Sequence, residues 1–349
     1  MIAAETLNFL HKRNDSVFAL LCWFDAGWYR GIVEYGYMTE PMAHLKGDAA
    51  NWAFFPLYPI LVKVFSWLTG FNTYIAGVIL STILFTIAIL FILKYIKLTR
   101  KDSVAPSAIF LMAFGPYSFY FSSLYTESLF ILLVILGFYF MEKEKWLICG
   151  IMGALLSATR PTGIVFELVL FTRFIELSLK RGESLTFALK EIAFSEKKRL
   201  ALLLIPAGLF VYMTFLYFHV GDPLAFMHVE VAWGREFGDP IKLLYRALTG
   251  NEQSIYLAIW EIVGFTGVAF LIVKKRYAEG VFGFFCVMLP AMSSLLAMPR
   301  YIVGSLVLPL AFNDFVNQYE KLKWLIVIVL GAANIHLLFL WFTRHDITM

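Results

Sequence analysis

Asp25 stands among Trp23, Phe24, Trp28 and Tyr29 in the stretch Cys22 to Ile60. Rings that withdraw a carboxylate from water make it a better general base near neutral pH. Capping a helix is the structural role open to the same residue. Arg160 in ATRPTG and Arg300 in MPRY each lie beside a proline at the end of an apolar run. Ionisable groups at membrane depth cost roughly 2.5–3.5 kcal/mol on insertion scales and usually face a cavity or a partner. A guanidinium fork matches phosphate oxygens, so both arginines are candidates for binding a phosphate. Snorkelling to the interface, or pairing with Glu127 or Glu167, is the alternative. Arg235, between Trp233 and Phe237, has the chemistry to grip a sugar or phosphate, and a solvated loop is the plainer reading. Glu127 follows Thr126 at the start of an apolar run, where a helix dipole favours a carboxylate. Asp222 and Asp239 precede prolines and read as turn initiators. Glu34 and Asp48 are weaker carboxylate candidates. His44, His219 and His228 have no ligand spacing, and no DxD or HExxH pattern occurs, so the expected metal set is none. The three cysteines, Cys22, Cys149 and Cys286, lie too far apart to suggest a disulfide framework or a metal knuckle.

The elements that must position these residues are membrane spans. The chain has 349 residues, 60% hydrophobic and 15% charged, with a mean hydropathy of +0.75. Soluble domains average about 45–50% apolar and about 25% charged. The composition therefore excludes an ordinary soluble domain and points to an all-α polytopic membrane protein. Aromatic residues make up 17%, and Trp and Tyr favour interfacial depth. Ten apolar stretches qualify as spans: 74–96, 104–121, 124–141, 146–160, 162–179, 200–219, 254–273, 278–296, 301–318 and 324–342. Trp52 to Leu68 is broken by Pro56, Pro59 and Lys63 and reads as a helix lying along the interface, with the prolines at its start. The expected domains are 1–73, carrying Asp25 and the interfacial helix, and 74–349, one helical bundle. Val17 to Phe24 is too short to span and lacks a signal cleavage site. It reads as a surface helix or the remnant of a span, with a first span missing before it.

Eighteen of the 29 basic residues fall on one side of this arrangement. They are Lys94, Lys97, Arg100 and Lys101, then Lys143 and Lys145, then Arg173, Lys180, Arg181, Lys190, Lys197, Lys198 and Arg199, then Lys274, Lys275 and Arg276, then Lys321 and Lys323. The positive-inside rule makes that side cytoplasmic. The Asp25 region, YTES at 125–128, ATRPTG at 158–163, the loop 219–253 and MPRY at 298–301 then share the outer face. The inner loops read as basic connectors only, so chemistry is expected outside.

Taken in order, FDAGWYRGIVEYGY, AFFPLYP, YTESLF, ATRPTG, GDPLAF with AWGR, and PRY resemble the PIG-V family, from about residue 22 to 315. That family includes the second mannosyltransferase of GPI-anchor assembly and prokaryotic relatives. It belongs to the GT-C type of polytopic glycosyltransferases, which take lipid-phosphate sugars and carry an acidic residue in the first outer loop. Asp25, in Trp23-Phe24-Asp25, matches that acidic position. The resemblance implies transfer of a sugar, mannose by analogy, from a polyprenyl or dolichyl phosphate to a lipid- or protein-linked glycan. Asp25 would be the general base. Arg300, Arg160 and Arg235 would bind the donor phosphate. Trp28, Tyr29, Phe55, Tyr58, Glu127, Trp233 and Tyr301 would line the substrate site. One base with no opposed nucleophile implies inversion. The lipid-phosphate sugar would be a co-substrate, with no cofactor, no metal and no nucleic-acid partner. The membrane would be the cell membrane in a prokaryote or the endoplasmic reticulum in a eukaryote. The rival class is a transporter or flippase of lipid-linked sugars, which predicts internal repeats, broken helices and a two-sided polar pathway.

Overall fold

The computed structural model describes residues 16–44, 47–100, 105–235 and 237–348. A single helical turn, Val17–Leu20, is capped by the Ser16 side chain. Helix α1 spans Ala26–Tyr35. A short antiparallel pair follows, β1 (Met42–His44) against β2 (Gly47–Ala49), with Ala43 opposite Asp48. Helix α2 spans Leu57–Thr69. Pro56 precedes it and Pro59 lies in its first turn, where a missing N–H costs nothing.

Helix α3 (Thr73–Thr99) opens the bundle, capped by Asn72, whose side chain accepts from the Ile75 amide at 3.1 Å. Then come α4 (Ala105–Phe114), α5 (Glu127–Glu142), α6 (Trp146–Ser157), α7 (Phe166–Lys180) and α8 (Leu185–Phe194). Helices α9 (Glu196–Leu204) and α10 (Ala207–Val220) follow, with Pro206 between them. Helix α11 (Pro240–Leu248) is short and lies outside the apolar stretches. Asp239 caps it, accepting from the Ile241 and Lys242 amides at 2.9 and 3.3 Å. Last are α12 (Glu252–Val273), α13 (Tyr277–Ala291), α14 (Met298–Gly304), α15 (Val307–Val316) and α16 (Glu320–Phe342).

Helices fall on all ten apolar stretches, but their lengths differ from the expectation. Among the described residues, four are long and apolar enough to cross a membrane: Thr73–Thr99, Glu196–Val220, Glu252–Val273 and Lys321–Phe342. Leu295–Gly304 and Val307–Val316, bent by 71° to one another, make a fifth if counted as one span. Four or five candidate spans thus stand where the sequence suggests about ten. Several of the others are cut short by turns at the ends that carry the polar motifs. The 16 residues of α5 reach about 24 Å, short of a hydrocarbon core of about 30 Å. The apolar helices make this an integral membrane protein.

Packing is close where α6 meets α10. A Cβ on Gly208 would lie 2.0 Å from the Ala154 carbonyl oxygen, so only glycine lets these backbones approach. Rings pack on one another inside the bundle. Phe282 lies 6.0 Å from Phe138 and 6.4 Å from Phe166, centroid to centroid.

The basic end of the bundle differs from a set of plain connectors. Arg100 pairs with Glu279 at 2.8 Å and with Asp314 at 2.9 Å. Tyr95 donates to the same Glu279 at 2.5 Å, and Arg276 donates to the Thr99 carbonyl at 2.8 Å. These carboxylates sit within helices, where a reading of loop charges does not look. Lys101 lies outside the described residues.

Candidate active site

Asp25 precedes α1, but its carboxylate caps nothing there. It turns instead to Arg300, which donates from Nη1 to Oδ2 at 2.8 Å. Its other carboxylate oxygen accepts no hydrogen bond among the described residues. The backbone that sets this direction is unusual. Phe24 holds φ at 53°, a left-handed conformation that is costly for a bulky residue. The Tyr125 hydroxyl stabilises it, accepting from the Asp25 amide at 3.0 Å and donating to the Trp23 carbonyl at 2.8 Å.

Arg300 lies in the first turn of α14, beside the bend between α14 and α15. It is buried, as is Glu127 at the start of α5. The Glu127 Oε1 atom faces both arginines. It receives a hydrogen bond from Arg160 Nη2 and lies 3.5 Å from Arg300 Nε. Arg160 also donates from Nε to the Thr126 hydroxyl at 2.6 Å. The YTES and ATRPTG motifs thus meet at one point. Between the two structural alternatives for Arg160 and Arg300, the contact is with Glu127, and no pairing with Glu167 occurs among the described residues.

These groups line a cavity of about 650 Å³, counting its open mouth. The wall includes Asp25, Tyr29, Phe55, Arg160, Trp233, Arg235, Arg300 and Tyr301, all expected site residues, with Tyr125, Thr159 and Glu230 among others. The other expected residues lie just behind it. Glu127 braces the arginines. Trp28 stacks on Phe54 at 5.9 Å and meets Trp233 edge-on at 5.5 Å. Tyr58 is fully buried, its hydroxyl 2.7 Å from that of Ser81. Glu34 pairs with Arg30 at 2.8 Å along α1, and Asp48 is exposed in β2. Neither lines the cavity.

Glu230 is the residue that sequence reasoning missed. It accepts from Arg235 Nη1 at 3.0 Å and lines the same wall. Burial pushes its carboxyl above the ordinary glutamate range, against the opposing pull of Arg235. It sits in a short turn, Val229–Trp233, with no flanking motif. Only its position five residues before Arg235 hinted at a pair.

The floor of the site is held by backbone contacts. Asn51 accepts from the Met38 amide and donates to the Gly36 carbonyl, both at 3.0 Å. Trp52 donates to the Met38 carbonyl at 2.6 Å, and Tyr212 donates to the Trp52 carbonyl at 2.7 Å. In the outer loop, Asp222 accepts from the Leu224 amide at 2.9 Å, the turn expected of it, and contacts His228 at 2.6 Å.

Six formal charges therefore meet at the site: Asp25 and Glu230 in the cavity wall and Glu127 just behind it, against Arg160, Arg235 and Arg300. The site is neutral overall, and rings line it. Such a site can accept a proton at Asp25 while presenting guanidinium groups to an anion.

No protein-family profile matches the chain, and no curated relative matches it. Solved structures do. The chain is similar to the archaeal oligosaccharyltransferase AglB from Archaeoglobus fulgidus, in complex with an inhibitory peptide and a dolichol-phosphate. The TM-score is 0.50 at 12% identity, over 99% of this chain and 55% of that one. The fold is of the GT-C type. Two further structures of the Archaeoglobus fulgidus oligosaccharyltransferase also match. The one tethered to an acceptor peptide by a disulfide gives 0.47 at 12% identity, over 99% and 54% of the two chains. The apo form gives 0.49 at 11% identity, over 99% and 55%. The chain spans about half the length of these solved structures.

Proposed function

We propose that this protein is a membrane-bound glycosyltransferase that moves a sugar from a polyprenyl- or dolichyl-phosphate donor to a lipid- or protein-linked glycan. The observation that carries the proposal is the Asp25–Arg300 pair. A carboxylate placed to cap a helix is turned into a cavity, onto an arginine 275 positions away. The AglB structure, which holds a dolichol-phosphate, supports the donor class by its fold alone. The order of the sequence motifs supports mannose and kinship with the PIG-V family.

The chemistry follows from the pair. The acceptor hydroxyl attacks the anomeric carbon and loses its proton to Asp25. A new carbon–oxygen bond forms as the bond from that carbon to the phosphate oxygen breaks, and its electron pair stays on the phosphate. Attack on the face opposite the leaving group inverts the anomeric centre. Protonation removes the charge that holds Arg300, just as the phosphate gains a second negative charge. The released guanidinium then serves the leaving group, with Arg160 and Arg235 beside it. In this reading the lipid-phosphate sugar is the co-substrate, and the arginines supply the positive charge. The site faces the extracytoplasmic side, opposite the basic loops. Residues 1–73 supply the base and the interfacial helix α2, and residues 74–349 supply the bundle.

The bend between α14 and α15 is the feature a carrier of lipid-linked sugars would share. Against that rival, the rings of Phe138, Phe166 and Phe282 pack on one another inside the bundle. The test is incubation of the purified protein with polyprenyl-phosphate mannose and total membrane extract, followed by mass spectrometry. A product heavier by one hexose supports transfer. Translocation of the donor between leaflets with no new glycan favours the carrier.

A further inference from the structure

A second charged cavity, of about 700 Å³, opens at the basic end of the bundle. Helix α5 runs from one cavity to the other, with Glu127 bracing the first and Glu142 lining the second. Its length sets them about 24 Å apart. Nothing in the transfer chemistry uses this second cavity.

Its carboxylates are already engaged. Glu142 pairs with Arg173 at 2.6 Å. Glu176 pairs with Arg173 at 3.2 Å and accepts from the Ala278 amide at 3.1 Å. Glu279 is held by Arg100 and Arg276. Lys180, Lys274 and Lys275 also line the cavity and make no ion pair among the described residues. All three are exposed. The cavity therefore carries uncompensated positive charge on a framework fixed by ion pairs.

Exposed apolar side chains flank it. Leu98 lines the opening and is exposed, as are Leu179, Ile272 and Val273 next to the lysines in sequence. A charged well flanked by exposed apolar side chains fits an anion that carries acyl chains better than a free ion. We infer that this cavity is a second binding site, which takes the phosphate headgroup of an anionic phospholipid from the leaflet at the basic end. The lysines neutralise the headgroup, and Leu98 and Val273 meet the chains. Plain topogenic lysines would give a diffuse attraction with no dependence on the engaged carboxylates.

The test is native mass spectrometry of the full chain in detergent. Phosphatidylglycerol and phosphatidylcholine of matched acyl chains are titrated, with inorganic phosphate as a separate arm read by thermal shift. Phosphatidylglycerol should bind at least about tenfold tighter, with about fivefold lost for each lysine replaced in Lys274→Gln and Lys275→Gln. Phosphate at the same concentration should leave the melting temperature unchanged. Glu142→Gln, which removes a negative charge from the wall, should tighten phosphatidylglycerol binding. That variant decides the matter if the lysine variants insert poorly. Equal binding of the two lipids, a preference that survives both lysine substitutions, a melting temperature raised by phosphate, or unchanged binding in Glu142→Gln would each overturn the inference.

Discussion

Asp25, Arg300, Glu127 and Arg160 form one chain of opposite charges, in which Asp25 depends on Arg300 and Arg160 depends on Glu127. Arg300 is asked to hold Asp25 at rest and phosphate during transfer. Arg300→Lys keeps the charge but loses the fork. Charge-assisted hydrogen bonds are worth about 1.5–3 kcal/mol, so donor affinity should fall about tenfold to a hundredfold with the melting temperature nearly unchanged. Donor titration of that variant checks this, and wild-type affinity would leave Arg300 with a purely structural role. Glu127 faces two buried arginines. Glu127→Ala should destabilise the protein by about 3–5 kcal/mol, the usual effect of breaking a buried pair from one side. A thermal melt like that of wild type would mean that the arginines find other partners. The types of these residues and their placement at helix starts were readable in the sequence. Their pairing was not, because the partners come from segments far apart in the chain. Glu230 escaped notice for a related reason: its role depends on a cavity wall that only the folded loop creates.

At the scale of elements, the site depends on turns more than on helices. Tyr125 closes the turn before α1, and its motif was legible while its contact with Asp25 was not. Tyr125→Phe leaves the Asp25 amide and the Trp23 carbonyl without this hydroxyl, at a cost of about 1–3 kcal/mol. Thermal unfolding and transfer activity should fall together, and a loss of stability with full activity would show that the turn does not aim Asp25. The start of helix α2 was legible because prolines mark a helix start in any solvent. The span count was not, because hydropathy measures apolar length and does not register where a helix stops. Helices α4, α5, α6, α7 and α13 are each shorter than the apolar run that carries them.

At the scale of the whole molecule, transfer on the extracytoplasmic side requires the Asp25 cavity and the basic end to lie on opposite faces of a membrane. All three native cysteines are buried, so labelling of introduced cysteines has a low background. Position 48 should react with an impermeant reagent from outside, and positions 190 and 275 only after permeabilisation. Outside access at 190 or 275 would reverse the orientation. An all-α membrane bundle was legible from composition and from the apolar runs. The charged cavity at the basic end was not, since its acids lie within helices and its lysines look like ordinary positive-inside residues.

The central claim is that Asp25 takes the acceptor proton, and one preparation of Asp25→Asn tests it most directly. Asparagine keeps the size of the side chain and an oxygen for Arg300, but it cannot serve as the base. Single-turnover sugar transfer and the melting temperature are measured on the same sample, with donor binding as a control. The expected result is transfer slowed by roughly 10²–10⁴-fold, the usual share of general base catalysis, with donor still bound and the fold retained. Near-normal transfer by a folded Asp25→Asn protein would contradict the account.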